Sequence, residues 1–549
     1  MSGEKCKDFD GDMTFLGEYG RFQVLMMILL SLTAIPCGYM GVLSVFIADT
    51  PAHHCKTWDN STNFFNRTGP DGCFQYKVDT NRSEAFEPTN GSDRCVDGWL
   101  FSTESSTIVS EWDLVCENAW KVPFSTSMFF VGVLFGSLVS GQLSDRFGRK
   151  RVLFATLTFQ SVTTLIQATS VNWVMFCAVN CLRGVGHVSC YVASFVLGSE
   201  MLCKSARLTY SLIGQSLAFS LGYALLPLLA YFIRDWRLLL VACAIPGLLF
   251  IPTWWVIPES PRWLLQKNRM EEAELVIRRA AKLNRVHAPD VIFKPSEGSG
   301  LVQKPGENKQ TYTFMDLLRT ANLRNITALG FIIWLVTAMA FYGISLNTSN
   351  LKGNIYLNSL VSAATDAVAN VLTWLLINRV PRPILLSSTL MFSGITHLAV
   401  KMVPEDMNVS FQVLVLIGKL GVAVAYCMAF VFFAELYPTV VRNTGLGIVA
   451  TAGRIGTIIC PYVIYMGVYS KVLPYIIFGS LSIMTAVLSL VLPDTRNCKF
   501  PDLISEAKPI GCYYSPRNIS CFKHSQQQPT KSDATTPSAD KYIYDEVES

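Results

Sequence analysis

Long apolar runs alternate with short polar connectors along most of the chain. The runs 23–47, 236–257 and 472–492 each contain twenty or more residues with few or no charges. About 20 helical residues cross a hydrocarbon core of about 30 Å, so the pattern predicts membrane-spanning helices. The predicted spans lie near 22–48, 122–142, 151–170, 172–198, 209–232 and 236–257, and then near 325–347, 354–378, 383–403, 409–434, 444–468 and 472–492.

These spans fall into two groups of six, which predicts an all-α polytopic membrane protein of twelve helices in two halves. Only 15% of the residues are charged, against about 25% in soluble proteins. The first apolar run exceeds the core of a signal peptide, so we expect an uncleaved first span. The predicted segments are the N-terminus 1–21, the first half 22–258 with its loop 50–119, the linker 259–324, the second half 325–496 and a disordered tail 497–549.

Basic residues predict the topology. The connector after the second span is "SDRFGRKR", and the linker 259–324 is rich in Lys and Arg, whereas the connector between the third and fourth spans has no charge. Lys and Arg concentrate on the cytoplasmic side of membrane proteins. We therefore expect both termini and the linker to be cytoplasmic, and the loop 50–119 to be extracellular at the plasma membrane.

The loop 50–119 has the composition of an extracellular segment. Four of the sixteen cysteines fall in it, together with four N-glycosylation sequons. An even number of cysteines predicts two disulfides, among three possible pairings, and the sequons predict a glycoprotein. The cysteines are Cys55, Cys73, Cys95 and Cys116, and the sequon asparagines are Asn60, Asn66, Asn81 and Asn90.

The two halves share an internal repeat. "GSEMLCKSAR" after the fourth span carries Glu200 and Arg207, and "FAELYPTVVR" after the tenth carries Glu435 and Arg442, in each case seven residues apart. The two copies lie 235 residues apart, and the same offset places Glu259 of "IPESPR" on Asp494 of "LPDTR". The segment "INRVPR" is a weaker counterpart of "SDRFGR". Repeats of six spans in the same order are typical of transporters in which two bundles rock about a central site.

Three motifs carry a resemblance to a known family. "GQLSDRFGRKR" (141–151) resembles the cytoplasmic motif of the major facilitator superfamily, while "PESPRWLL" (258–265) and "AELYPTVVRN" (434–443) resemble solute carrier family 22. The chain is most similar to the organic cation/carnitine transporters of that family, over nearly all of 10–495. The resemblance implies the twelve-helix major facilitator fold and transport by alternating access.

The resemblance also assigns a role to the charges at the cytoplasmic mouth. It implies ion pairs that hold the two halves together while the site faces outward and that break when it opens inward. The alternative is that these charges only set the topology. The implied gate residues are Asp145, Arg146, Arg149, Glu200, Arg207, Glu259, Arg262, Glu435 and Arg442.

Arg454, in "ATAGRIGTIICPY" (450–462), lies in an otherwise apolar span. An arginine at this depth costs about 2.5–3.5 kcal/mol, so it is expected to face a cavity and to have a partner. Its planar guanidinium suits a carboxylate, and Gly453 and Gly456 are expected to leave room for it. In the resembling family an arginine here accompanies anionic or zwitterionic substrates. The alternative is a permanent salt bridge to Asp366.

Further polar and aromatic residues complete the predicted substrate site. Asp366 is expected to face the positive end of a substrate, and aromatic rings are expected to pack against an ammonium group. His187 belongs to a polar stripe on the fourth span, and Lys419 is either a substrate contact or a strut between helices. The aromatic candidates are Tyr191, Phe341, Tyr342, Phe430 and Phe432.

Sodium is the candidate coupling ion, but several residues depart from the carnitine-type pattern. Cys37 and Cys190 stand where those transporters have asparagine, whereas Gln160 is retained. Thiols are poor ligands for a hard cation, which leaves sodium coupling and carnitine itself open. Arg183 replaces an apolar residue, and either shifts preference toward anions or has a structural role.

We therefore predict a secondary transporter of small organic cations and zwitterions, such as carnitine, acylcarnitines and betaine- or ergothioneine-like solutes. The chain has no nucleotide-binding motif, and we expect no enzyme activity, no cofactor, no bound metal and no nucleic-acid partner. Its partners are the substrate and the lipid bilayer, and a monomer is expected. The alternatives are an organic anion exchanger of the same family and a non-transporting membrane receptor or sensor.

Overall fold

A computed structural model describes residues 14–17, 19–56, 73–76, 92–95, 98–202, 204–289, 292–293, 317, 320–351, 353–404, 407–438, 440–495, 512–514 and 519–521. Twelve long helices lie in this part of the chain. In the first half they are α1 Arg21–Ile47, α2 Lys121–Phe147, α3 Arg149–Ala168, α4 Trp173–Met201, α5 Tyr210–Phe232 and α6 Trp236–Trp255. In the second half they are α7 Ala321–Leu346, α8 Ile355–Leu376, α9 Arg382–Ala399, α10 Asn408–Leu436, α11 Arg442–Tyr465 and α12 Leu473–Ser489.

The helices coincide with the predicted spans to within a few residues. Ten helical segments of the described chain are long and apolar enough to cross a membrane. Helix α3 is less apolar because Thr, Ser and Gln recur along it, and α12 is only 17 residues long. Both pack inside their half, α3 against α4 and α6 and α12 against α9. The arrangement is consistent with twelve spans.

Successive helices run in opposite directions, so the bundle has two distinct ends. The end from which the segment 50–119 projects is called the loop end, and the end that carries 259–324 the linker end. At the loop end the halves touch, because Ser127 Oγ donates to the Ile458 carbonyl at 2.9 Å and the Phe46 ring stacks on Tyr356 at 5.7 Å. The halves are therefore closed against each other at the loop end.

Two disulfides and four short strands order the described parts of the loop 50–119. Strand β1 His53–Cys55 pairs with β4 Trp99–Phe101, and β2 Phe74–Tyr76 pairs with β3 Ser92–Arg94, both antiparallel. The prediction of two disulfides is confirmed, and the pairing is Cys55–Cys95 and Cys73–Cys116. The four sequon asparagines Asn60, Asn66, Asn81 and Asn90 lie outside the described residues.

The linker is attached to the first half. Its helix Met270–Asn284 ends in Asn284, whose Oδ1 accepts from the Phe22 backbone N–H at 2.7 Å and whose Nδ2 donates to the Leu16 carbonyl at 3.0 Å. The linker therefore moves with the N-terminal end of α1.

Two short segments of the tail 497–549 form strands. β5 Cys512–Tyr514 and β6 Ile519–Cys521 form an antiparallel pair. Their Tyr, Ile and Cys side chains favour strands, and a prediction based on average polarity misses so short an apolar pattern.

Candidate functional site

A cavity of about 90 Å³ lies between the two halves, roughly halfway along α4, α8, α10 and α11. Six of the nine predicted substrate residues line it: Arg454, Tyr191, Asp366, Tyr342, Phe341 and His187. Further lining residues that the sequence did not indicate include Phe129, Phe130, Ser220, Asn370, Tyr426 and Cys427. The cavity is thus enclosed by aromatic rings and carries a small number of polar groups, as small-molecule sites usually do.

Arg454 reaches the cavity from α11 without an acidic partner. In the described part of the chain no ion pair involves its guanidinium, and its buried Nε atom has no hydrogen-bond partner. An arginine at this depth is stable only where a cavity or a partner compensates its charge. The guanidinium is therefore available to a bound anionic group.

The glycines beside Arg454 serve helix packing. A side chain on Gly453 would meet the Trp334 ring, and one on Gly456 would meet the Leu335 carbonyl. Their role is the close approach of α11 to α7, so the expectation that they provide room around the guanidinium is wrong.

Asp366 pairs with Lys419, and not with Arg454. Lys419 Nζ lies 2.9 Å from Asp366 Oδ1 and donates to the Ser362 carbonyl at 3.0 Å. The permanent salt bridge considered between Arg454 and Asp366 is therefore absent among the described ion pairs. Lys419 is fully buried behind Asp366 and does not line the cavity, which favours the strut over the substrate contact.

Aromatic rings cover much of the cavity wall contributed by the second half. Tyr426 on α10 stacks on Phe341, with ring centroids 4.5 Å apart and planes at 5°, and on Trp334 at 5.6 Å, and it lies edge-on to Tyr342 at 6.1 Å. Tyr342 lies edge-on to Phe130, at 5.3 Å, across the boundary between the halves. Such faces attract an ammonium group by cation–π contact.

Two predicted aromatic contacts lie elsewhere. Phe430 is 41% exposed and lies edge-on to Phe195 at 6.0 Å, where it joins the halves toward the linker end of the cavity. Phe432 is fully buried and packs against Phe433. Neither lines the cavity, because successive residues of a helix face different directions and Tyr426 occupies the cavity face of α10.

His187 and Tyr191 line the cavity from the first half. The His187 ring packs against Phe129 at 5.3 Å, and its buried Nδ1 atom has no hydrogen-bond partner among the described residues. Tyr191 lies one helical turn further along α4 and packs edge-on against Phe219 at 5.9 Å. A solute bound to Arg454 would therefore meet polar groups of both halves.

Arg183 lies behind Phe129 and outside the cavity. Its Nε and Nη2 atoms donate to Asn180 Oδ1 at 3.1 and 2.7 Å, and its guanidinium lies 4.8 Å from the Phe129 ring centroid. Of the two roles considered for Arg183, these contacts favour the structural one.

The residues at the candidate sodium positions do not fit a sodium ion. The Cys37 thiol donates to the Thr33 carbonyl at 3.8 Å and to the His187 carbonyl at 3.7 Å, and Cys190 is fully buried. Gln160 Oε1 is a buried oxygen without a partner among the described residues. Sodium takes hard oxygen ligands, and two thiols in the donor set are a poor match.

At the linker end, the charges of the first half form one network. The Arg149 guanidinium lies 3.1 Å from Glu200 and 2.8 Å from Asp145. The backbone N–H of Arg149 donates to Glu259 at 2.9 Å, so that this carboxylate caps the start of α3. Gly148, at φ +104°, makes the turn, and a side chain there would meet Glu259.

The second half repeats this network. The Arg382 guanidinium lies 3.2 Å from Glu435, and the backbone N–H of Arg382 donates to Asp494 at 3.2 Å. Arg382, the last residue of "INRVPR", thus takes the place of Arg149. Arg382 is a functional residue that the sequence motifs did not single out, and the weak likeness of "INRVPR" to "SDRFGR" was the signal for it.

The remaining gate arginines have local contacts. Arg207 Nε donates to the Leu202 carbonyl at 2.9 Å, and Arg442 Nε donates to the Tyr437 carbonyl at 3.2 Å. The Arg146 guanidinium lies over the Phe147 ring. Arg262 belongs to the short helix Pro261–Gln266.

The expected gate stays a prediction, because its ion pairs are expected to join the halves only when the site faces outward, and here the loop end is closed. Every ion pair whose two partners are described lies within one half or within the linker helix, and none joins the halves. The physical reason is that the described polar contacts between the halves lie at the loop end and beside the cavity. In this conformation the networks stabilise each half separately.

Two six-helix halves around a central, aromatic cavity are typical of membrane transporters, and comparisons with known proteins agree. The profile of the family described as "Sugar (and other) transporter" matches residues 79–503. The organic cation/carnitine transporter 2 of Homo sapiens is 44% identical and covers 95% of this chain and 99% of its own length. Solute carrier family 22 member 4 of Mus musculus is 42% identical, and the match covers 94% of this chain and 97% of that protein.

The chain therefore belongs to the sugar (and other) transporter family and, within it, to solute carrier family 22. Members of the family are transporters and not enzymes. The solved xylose transporter XylE from E. coli, in its inward open conformation, has a TM-score of 0.60 at 14% identity over 88% of this chain and 100% of its own. This likeness confirms the major facilitator fold.

Proposed function

We propose that this protein moves organic cations and betaine-type zwitterions, carnitine among them, across the plasma membrane by alternating access. The names of its relatives, organic cation/carnitine transporters, support this substrate class. The observation that carries the proposal is the Arg454 guanidinium, which faces the central cavity without a carboxylate partner among the described residues.

The two ends of a betaine match two kinds of cavity wall. Its carboxylate accepts hydrogen bonds from Arg454, whose planar fork holds both oxygens. Its quaternary ammonium cannot donate a hydrogen bond, so the rings of Phe341 and Tyr342 are its natural contacts. The site then satisfies both charges of the substrate without burying an unpaired one.

Alternating access follows from the contacts between the halves. The loop end, which we place outside because the linker 259–324 is basic, is closed by the contacts of Ser127 and Phe46. Toward the other end, the half-exposed Phe195–Phe430 ring pair joins the halves. Separating these two rings opens the cavity to the cytoplasm at little cost, whereas opening the loop end breaks the contacts of both Ser127 and Phe46.

The energy source is a gradient of the substrate or of a co-transported ion. The thiols of Cys37 and Cys190 disfavour sodium, so we propose uptake that depends little on external sodium. The termini lie in the cytoplasm, and the functional unit is one chain.

Organic anion exchange is a second candidate, and a specific observation favours it. Arg454 leaves the cavity with one positive charge in excess, because Lys419 compensates Asp366. A monoanion would neutralise this excess, as a zwitterion's carboxylate does. The aromatic walls argue for the zwitterion, since an anion gains nothing from the negative faces of the rings.

Uptake measurements separate these candidates. Cells expressing the protein are given labelled carnitine, ergothioneine, tetraethylammonium or urate, with and without external sodium. We expect carnitine or ergothioneine to accumulate most, with less than about twofold loss on sodium removal. A preference for urate over both zwitterions supports the anion exchanger, and binding without accumulation supports the receptor.

Variants at Arg454 test the binding mode. Arg454→Ala removes a charged, bidentate contact worth about 1.5–3 kcal/mol, so carboxylate uptake should fall at least about tenfold. Tyr469→Phe, at an exposed residue 82% accessible, serves as the matched control. Surface abundance and thermal stability are measured in parallel. Unchanged carboxylate uptake by a destabilised Arg454→Ala protein would show that the arginine is structural.

A further inference from the structure

The cavity contains a carboxylate whose charge is cancelled from behind. Asp366 lines the cavity and is 5% exposed, and the ammonium of Lys419, which does not line the cavity, lies 2.9 Å from its Oδ1 atom. Arg454 lines the same cavity with no such compensation. The three side chains together leave one positive charge in excess.

Lys419 is held where it cannot touch a solute. It is 0% exposed, its Nζ donates to the Ser362 carbonyl, and it lies 4.9 Å from the Tyr223 ring and 5.9 Å from the Phe341 ring. Because it does not line the cavity, Lys419 influences the substrate through its charge and through its pairing with Asp366, and not by direct contact.

The charge of Asp366 decides what a cation meets in the cavity. A carboxylate free of Lys419 would attract an ammonium and would offset the repulsion that Arg454 exerts on it. The carboxylate paired with Lys419 attracts a cation much more weakly, since the charges of Asp366 and Lys419 largely cancel at the distance of a bound solute. Polar lining residues of the cavity include Asn370 and Ser220, which are neutral and bonded to each other at 3.1 Å, and Cys427, whose thiol donates to Asn370 Oδ1 at 3.0 Å.

We propose that Lys419 is a positioning residue that sets charge specificity: by holding the Asp366 carboxylate in a buried pair, it makes the cavity favour solutes with a free carboxylate over cations without one. This inference rests on the proposed function, in which Arg454 receives the carboxylate. The sequence led us to expect that Asp366 binds the positive end of the substrate. In this proposal Asp366 is paired with Lys419 and is not the main site for the ammonium group.

The test is the ratio of tetraethylammonium uptake to carnitine uptake, each corrected for surface abundance. Lys419→Met frees the Asp366 carboxylate while keeping an unbranched side chain, and the ratio should rise at least about tenfold. Lys419→Arg keeps the positive charge and should leave the ratio within about twofold. A structural role alone would lower both uptakes together and would leave the ratio unchanged.

A second pair of variants covers the case in which Lys419→Met does not fold because Asp366 is left buried and unpaired. Asp366→Asn leaves Lys419 charged and should lower the ratio, whereas Asp366→Asn with Lys419→Met removes both charges and should restore it. An equal ratio in these two proteins overturns the proposal.

The outcomes also separate this inference from the proposed function. If Arg454→Ala leaves carnitine uptake intact, the proposed function fails whatever the ratio does. If Arg454→Ala abolishes carnitine uptake and Lys419→Met leaves the ratio unchanged, only the inference about Lys419 fails.

Discussion

Replacing Glu435 by glutamine tests the ion pairs that the structure places inside each half. Glu435 is the one described carboxylate that pairs with the Arg382 guanidinium, and the two side chains are only 16% and 8% exposed. Removing one partner of a buried pair costs about 3–5 kcal/mol. Glutamine still accepts one hydrogen bond, so we expect a cost of about 3 kcal/mol for Glu435→Gln.

The corresponding change in the first half should cost less. After Glu200→Gln, Arg149 keeps its pair with Asp145 at 2.8 Å and its bond to the Ser144 carbonyl at 2.8 Å. Asp145 is 72% exposed and so contributes at most about 1 kcal/mol. We therefore expect a cost of about 2 kcal/mol for Glu200→Gln.

Thermal unfolding in detergent, followed by tryptophan fluorescence, measures both changes. Because each pair stabilises one half, a unit of roughly 150–250 residues, 1 kcal/mol corresponds to roughly 2–4 °C, and Tm should fall by about 6–12 °C for Glu435→Gln and about 4–8 °C for Glu200→Gln. Glu274→Gln breaks an exposed pair with Arg278 on the linker helix and should shift Tm by less than about 2 °C. Unchanged Tm in the two buried variants would refute the reasoning, since it would show that these pairs do not stabilise the halves that contain them.

Three further predictions concern the loop end and the helix packing. Burial raises the pKa of Asp49, just beyond α1, from 3.8 to about 6. The folded protein therefore binds this proton more tightly than the unfolded chain does, and its stability falls as the pH rises from 3.8 to about 6. Asp49→Asn should accordingly raise Tm at about pH 7.5 but not below about pH 4. Tyr223→Phe removes the hydrogen bond to Ser362 Oγ at 3.0 Å, which joins the two halves. Amide hydrogen exchange at the loop ends of α7 and α8 should then accelerate about fivefold. An unchanged exchange rate would contradict the closure of the two halves at the loop end. A side chain at Gly132 would meet the Cys181 carbonyl, so Gly132→Leu should abolish the monodisperse size-exclusion peak, and a normal peak would contradict this packing.

The positions of the helices could be predicted because hydropathy is a property of each local stretch. The seven-residue spacing of Glu200 and Arg207 and of Glu435 and Arg442 likewise revealed the repeat, because a spacing can be read directly from the order of the residues. Arg382 was less visible, since only the letters "INRVPR" connect it with the first half.

The partner of each buried charge could not be predicted, because it depends on how neighbouring helices are rotated. Asp366 has two cationic candidates in the sequence, Lys419 and Arg454, and hydropathy does not distinguish them. The structure decides, since α8 and α10 pack closely enough to place Asp366 2.9 Å from Lys419.

The aromatic wall shows the same limit. Phe430 and Phe432 were predicted as contacts on α10, whereas Tyr426, one turn from Phe430, lines the cavity. The signal in the sequence was a tyrosine beside Cys427 in the apolar run "GVAVAYCMAF". A single hydroxyl in such a run indicates a face that is turned away from lipid.

The most direct test of the account compares carnitine with its carboxamide as inhibitors of labelled carnitine uptake, in the unmodified protein and in Arg454→Gln. The two inhibitors differ only in the charge that Arg454 is proposed to bind. We predict that the carboxamide is at least about thirtyfold weaker in the unmodified protein, and that the two become equal within about threefold in Arg454→Gln. The same thirtyfold difference in both proteins would contradict the account.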